Sequence, residues 1–158
     1  MIQRIQTVFL LVAFLGGVLL FFFPLAGIYG DTSTYIFYIY QFRNMVPGEP
    51  SLFNNMAVIP LALINAGMVA LAAASIFMYK NRLLQMRLVR FAIFLGIILI
   101  ALIFFVYAGI IERTLGIAPD YMSEAGIYFP LVSLVFLILA NRYIVRDERM
   151  VRSIDRLR

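Results

Sequence analysis

Three carboxylates, Glu112, Asp120 and Glu124, lie close enough along the chain to gather around a divalent cation. Their spacing matches no cation-binding loop, so solvated loop charge is the expected reading and no metal is assigned. Cysteine and histidine are absent, which removes disulfides, zinc or haem ligation by those side chains, and the Cys–His and Ser–His–Asp triads. No general acid–base pair can be located either. The chain is read as non-enzymatic, with no catalytic residue and no cofactor.

The remaining candidates make contacts rather than reactions. Ala62, Ala66, Ala70 and Ala74 recur at every fourth position, with Gly67 and Ala73 nearby, a small-residue stripe that lets a second helix come close. Ala13 with Gly17, and Ala92 with Gly96, repeat that spacing. Packing within one bundle is the favoured reading, and an interface with another protein is the alternative. Asn65 sits about 60° around the helix from Ala62. An amide in hydrocarbon wants a partner, so Asn65 is expected to act as interhelical glue rather than as a ligand contact.

Of 13 basic residues, Lys80 alone is lysine. Arg142, Arg149 and Arg156 recur every seven residues with Arg146 and Arg152 beside them, while Tyr143, Met150, Ile154 and Leu157 form an apolar stripe. Asp147, Glu148 and Asp155 take the remaining side. This pattern predicts an amphipathic C-terminal helix along or below the inner membrane surface. Together with Lys80, Arg82, Arg87 and Arg90, the arginines Arg146, Arg149, Arg152 and Arg156 are the candidates for docking anionic headgroups or a larger membrane-protein complex. Arginine suits bidentate contact with phosphate or carboxylate. A plain topology anchor explains the same charges almost as well. Nucleic acid is disfavoured, because three acids are interleaved and no aromatic platform accompanies them.

The elements that must carry these residues follow from composition. In 158 residues, 64% are hydrophobic and 13% charged, with mean hydropathy +0.98. That leaves too little polar surface for a water-facing exterior, so a soluble globular domain is excluded and the lipid bilayer is the first partner. Uncharged gaps long enough for about 30 Å of hydrocarbon run from Arg4 to Asp31, Glu49 to Lys80, Arg90 to Glu112 and Glu124 to Arg142. The expected fold is an all-α membrane protein, one integral-membrane domain over 1–158: a four-transmembrane-helix bundle with spans at about 5–27, 54–79, 90–111 and 126–144. Outer loops occupy 28–53 and 112–125, a cytoplasmic loop 80–89, and a cytoplasmic tail 145–158. The apolar run Thr7 to Phe23 is longer than a typical signal-peptide core, so the first gap is read as an uncleaved span.

Threading follows from the segregation of charge. With both termini inside, the cytoplasmic segments hold every basic residue except Arg43 and Arg113, whereas Asp31, Glu49, Glu112, Asp120 and Glu124 fall outside. The net +5 is thus the sum of a strongly positive inside and a negative outside. No ionisable residue lies near the middle of a span, which argues against a proton-coupled pump, a charged filter or a carboxylate protease in the membrane. Pro24, Pro60 and Pro130 fall in the outer parts of three spans and could bend them around an outward cavity, although prolines are ordinary in membrane helices. The segment from Thr34 to Phe42 fits a short strand and an interfacial aromatic belt equally well.

The opening Met1-Ile2-Gln3-Arg4-Ile5-Gln6-Thr7, the central Tyr79-Lys80-Asn81-Arg82 and the closing Arg146-Asp147-Glu148-Arg149 with Val151-Arg152-Ser153-Ile154-Asp155-Arg156-Leu157-Arg158 carry a resemblance. The chain resembles an uncharacterised family of small four-span inner-membrane proteins of Bacteroidota, known as a domain of unknown function. That resemblance implies a bacterial inner-membrane location and span number, and no activity, cofactor or catalytic residue. The expected role is that of an accessory or scaffold subunit, with a carrier or binding protein for an apolar ligand such as a lipid or quinone as the alternative.

Overall fold

The computed structural model describes residues 3–29, 34–46, 55–79, 81–115 and 120–155. Its helices are α1 (Gln3–Leu19), α2 (Ile59–Phe77), α3 (Arg82–Ala101), α4 (Ala108–Leu115) and α5 (Tyr128–Asp155). A π-helical segment, Leu102–Tyr107, joins α3 to α4 without a break. Among the described residues, three helices are long and apolar enough to cross a membrane: Ile59–Phe77, Arg82–Arg113 and Ala125–Val151. A shorter apolar helix, Ile5–Leu19, accompanies them.

The long helices form a closed ring, with α1 against α2 and α5, and α3 against α2 and α5. Each presents a seam whose steps alternate between three and four residues, which keeps one face toward near-parallel neighbours. On α2 the seam is Leu61, Asn65, Met68, Ala72 and Ser75; on α5 it runs through Ser133, Leu137, Ala140, Ile144 and Asp147. The opposite faces carry exposed Leu63, Phe91, Phe94, Phe105 and Val135. An apolar exterior of this extent is compatible with a membrane protein and unsuited to water.

The alanine stripe does not lie on the α2 seam. Ala66 and Ala70 are exposed, and Ala62 and Ala74 are half-buried. Four-residue steps advance about 40° beyond a full turn each time, so the stripe winds away from the bundle's inner face. The favoured reading of Ala66 and Ala70 as packing positions within the bundle is therefore corrected. Small residues at Ala13, Gly17, Ala92 and Gly96 are buried. An added Cβ on Gly17 would come within 2.5 Å of Val69, so α1 and α2 meet closely there.

Asn65 is fully buried, and its Nδ2 donates to the Gly17 carbonyl oxygen at 2.9 Å. Replacing Asn65 with Ala is expected to lower stability in detergent by about 1 kcal/mol, the scale of an interhelical hydrogen bond in a membrane protein. Thermal unfolding of the purified variant measures this, and an unchanged midpoint would show that the bond contributes nothing.

At the opposite end from Gln3 and Asp155, four short strands form an antiparallel sheet in the order β3-β2-β1-β4. They are β1 (Ala26–Tyr29), β2 (Thr34–Phe37), β3 (Phe42–Asn44) and β4 (Asp120–Ser123). Ala26 pairs with Phe37 on one side and with Ser123 on the other, so the two inter-helix connections join in one sheet. Segment 34–42 thus contains a true strand, with the partners that a lone strand lacks. Its buried Phe37 and Phe42 pack with Leu20, Leu99 and Ile103 below.

The expected span 5–27 is corrected at its outer end, where the helix stops at Leu19. Bonds from Phe21 N to Val18 O and from Phe22 N to Leu19 O tighten the last turn, and Pro24 cannot continue it. The other prolines begin helices instead of bending them. Pro60 occupies the first turn of α2 and Pro130 the first turn of α5, where a missing N–H costs no helical bond. The irregularity in the membrane-length helices is the π segment, which contains no proline.

Candidate functional site

A polar cluster closes the end of the bundle where α1 and α3 begin and α2 and α5 finish. One residue or more comes from each long helix: Gln6 from α1, Ser75 from α2, Arg82 and Gln85 from α3, and Asp147 from α5. Gln6, Ser75, Gln85 and Asp147 are all at least nine-tenths buried. Gln6 Nε2 donates to the Asp147 carboxylate. Gln85 Nε2 donates to the Ser75 carbonyl oxygen at 3.0 Å, and the Ser75 hydroxyl donates to Leu71 O at 2.7 Å. Arg82 Nη1 reaches the Asp147 backbone carbonyl at 3.5 Å. Buried polar groups demand such partners, and here all but the Ser75–Leu71 bond run between helices, so the cluster also fixes the register of the bundle's end.

Local sequence explains the placement. Asn81 caps α3 by accepting from Leu84 N at 3.2 Å, which starts the helix directly before Arg82. Asp147 continues the buried seam of α5 three residues after Ile144. One of its carboxylate oxygens, Oδ1, is buried without a hydrogen-bond partner. The charge pattern set Asp147 with Glu148 and Asp155 on the side of the tail helix left by the arginines and the apolar stripe; in the fold it is buried at the bundle's end. Ile144 and Asp147 form the side of α5 that faces the bundle, while Met150 is exposed on another side of the helix.

The basic candidates surround this end. Arg87, Arg90, Arg146 and Arg149 are exposed, and Arg82 is half-buried. Lys80 and Arg156 lie outside the described residues, as does the side chain of Arg152. Arg142, Arg146 and Arg149 line a shallow groove with Asn141, Val145 and Met150 along α5. Separate cationic heads on one helix face, reachable from outside, match phosphate or carboxylate groups of a surface or a partner.

Two further hollows stand out. One, of about 380 Å³, lies beside the polar cluster between α1, the end of α2 and the start of α3. The other, of about 270 Å³, lies at the sheet end between Leu25, Phe37, Ile103, Phe104, Ile111 and Ile127, next to the π segment. The lining is almost wholly apolar, with Glu112 at its edge. Among the described residues, no three acidic, histidine or cysteine side chains come together to hold a metal ion; Glu112 is exposed and Glu124 half-buried.

Gln6, Ser75, Gln85 and Asp147 escaped sequence reasoning. The available signal was their step of three or four from neighbouring seam residues, which is visible once the inward face is known.

A ring of apolar helices capped by a small sheet defines a membrane-compatible helical protein. The chain matches, over residues 2–157, the family described as "Domain of unknown function (DUF4293)", and belongs to that family. No curated protein matches it. No solved structure matches it either.

Proposed function

We propose that this chain is a non-enzymatic bacterial inner-membrane protein with four spanning helices, both termini cytoplasmic, acting as an accessory or scaffold subunit of a larger membrane complex. The observation that carries the reading is the outward face of α2: Ala66 and Ala70 are exposed in the isolated chain, where a small-residue surface allows a partner helix to approach closely. The arginines at the polar end supply a second contact, to anionic headgroups or to the partner's acidic groups.

Four spans fit the geometry if the 17 residues of α1, about 26 Å long, complete the crossing with the turn through Phe21–Leu25. Charge then sets the orientation, because the helix ends bearing Arg82, Arg87, Arg146 and Arg149 are retained inside. The sheet faces outward and covers the apolar ends of the helices.

Gentle solubilisation followed by sizing tests the subunit role. A complex well above the 18.0 kDa of the chain, containing a second protein, is expected. A monomer carrying only lipid and detergent contradicts it.

The apolar hollow beside the π segment supports one other reading, a carrier or binding protein for a lipid or quinone. π segments recur at functional sites, and apolar hollows accept such ligands without charged residues. A lipid-like species found by mass spectrometry and lost on changing Ala108 to Trp would favour this reading over the subunit role.

A further inference from the structure

The 380 Å³ crevice at the polar end changes character along its length. Val8, Leu11 and Ile76 make its apolar wall, and Tyr79, Arg82 and Gln85 make its polar end. Val8 and Leu11 are also half-exposed on the outside of α1, so the wall continues onto the bundle's outer surface. Arg82 gives one long bond to the Asp147 backbone carbonyl, whereas the Asp147 carboxylate is turned to Gln6. Asp147 does not line the crevice. The guanidinium therefore presents further N–H donors to the hollow.

We propose that this crevice holds a phospholipid of the cytoplasmic leaflet, its phosphate on Arg82 and one acyl chain along Val8, Leu11 and Ile76. The inference rests on the proposed membrane embedding and orientation. The order of the chemistry carries it: cation and hydroxyl at the helix ends, aliphatic side chains one to two turns deeper, as headgroup and chain are ordered in a leaflet. Arginine binds phosphate through paired N–H donors, and a partly buried guanidinium does so with less competition from water. A free phosphate would leave the aliphatic wall unused.

The test is native mass spectrometry of the full chain, delipidated in detergent and titrated with dioleoylphosphatidylglycerol. The wild type is expected to retain one lipid, and Arg82→Gln to retain it about tenfold more weakly. Arg43→Gln, at the sheet end, is expected to match the wild type. Val8→Trp fills the crevice with all charges intact and is expected to lower retention as Arg82→Gln does, which covers the case of an unfolded Arg82 variant. Equal retention in the wild type, Arg82→Gln and Val8→Trp overturns the site. Displacement of the lipid by inorganic phosphate also overturns it, in favour of a simple anion site. A chain recovered from cells without membranes would instead contradict the membrane reading itself.

Discussion

Changing Gly126 to Ala is expected to destabilise the protein by about 3 kcal/mol or more, the upper range of overpacking effects. A Cβ at this position would stand 2.2 Å from the Pro24 carbonyl oxygen, 2.6 Å from Pro24 C and 2.8 Å from Phe23 O. All three are backbone atoms, which cannot swing aside as a side-chain tip can. The same approach supports the bond from Gly126 N to Pro24 O at 2.9 Å, which ties the 3-10 turn Ala125–Ile127, just before α5, to the turn after α1. Pro24 leads directly into β1, so the substitution would also disturb the strand that pairs with both β2 and β4. Thermal unfolding in detergent gives the readout. Gly109→Ala is the control, because a Cβ there meets nothing within 4 Å beyond its own helix, and it should leave stability unchanged or raise it by up to about 1 kcal/mol.

Gly17→Leu is expected to cost about 2 to 3 kcal/mol by a different route. Its Cβ alone would meet Val69 Cγ2 at 2.5 Å and Met68 Cε at 3.3 Å, and the added isobutyl group would force α1 away from α2. That separation breaks the Asn65 bond to the Gly17 carbonyl, leaving a buried amide unpaired. The effect should therefore overlap with that of Asn65→Ala, and the double variant should cost less than the two single changes added together. Strict additivity would show that the close approach and the amide act independently.

Both glycines illustrate what composition and periodicity can and cannot convey. A helical, membrane-compatible chain was legible because uncharged stretches bounded by charge are long enough to read without ambiguity. Beyond that scale, type became ambiguous. Leu25-Ala26-Gly27-Ile28 extends the apolar run of α1 smoothly, and a short apolar strand has no periodicity that distinguishes it from helix. Its partners, β2 and β4, lie on separate connections, so the sheet required long-range pairing that no local pattern encodes. Segment 34–42 at least announced strand character through its aromatic and β-branched residues.

The candidate site was legible in its charges but not in its interior. Arginines at helix ends stand out in any sequence, whereas Gln6 and Gln85 are single amides whose meaning depends on which helix face turns inward. Asp147 misled most, because it sits among Arg146, Glu148 and Arg149 and looks like one more solvated charge. The alanine stripe misled in the opposite sense. Its regularity suggested an inner seam, but the three-four alternation through Asn65 and Met68 is the pattern that tracks a neighbouring helix, and this turns Ala66 and Ala70 outward.

On the function proposed above, this outward face of α2 docks another protein within the membrane. A photo-cross-linking residue placed at Ala70 in intact cells tests it most directly, with the same residue at exposed Phe94 on α3 as the comparison. Docking through α2 predicts a discrete adduct to one other membrane protein from position 70, and none of that size from position 94. Diffuse labelling of lipid from both positions would contradict it.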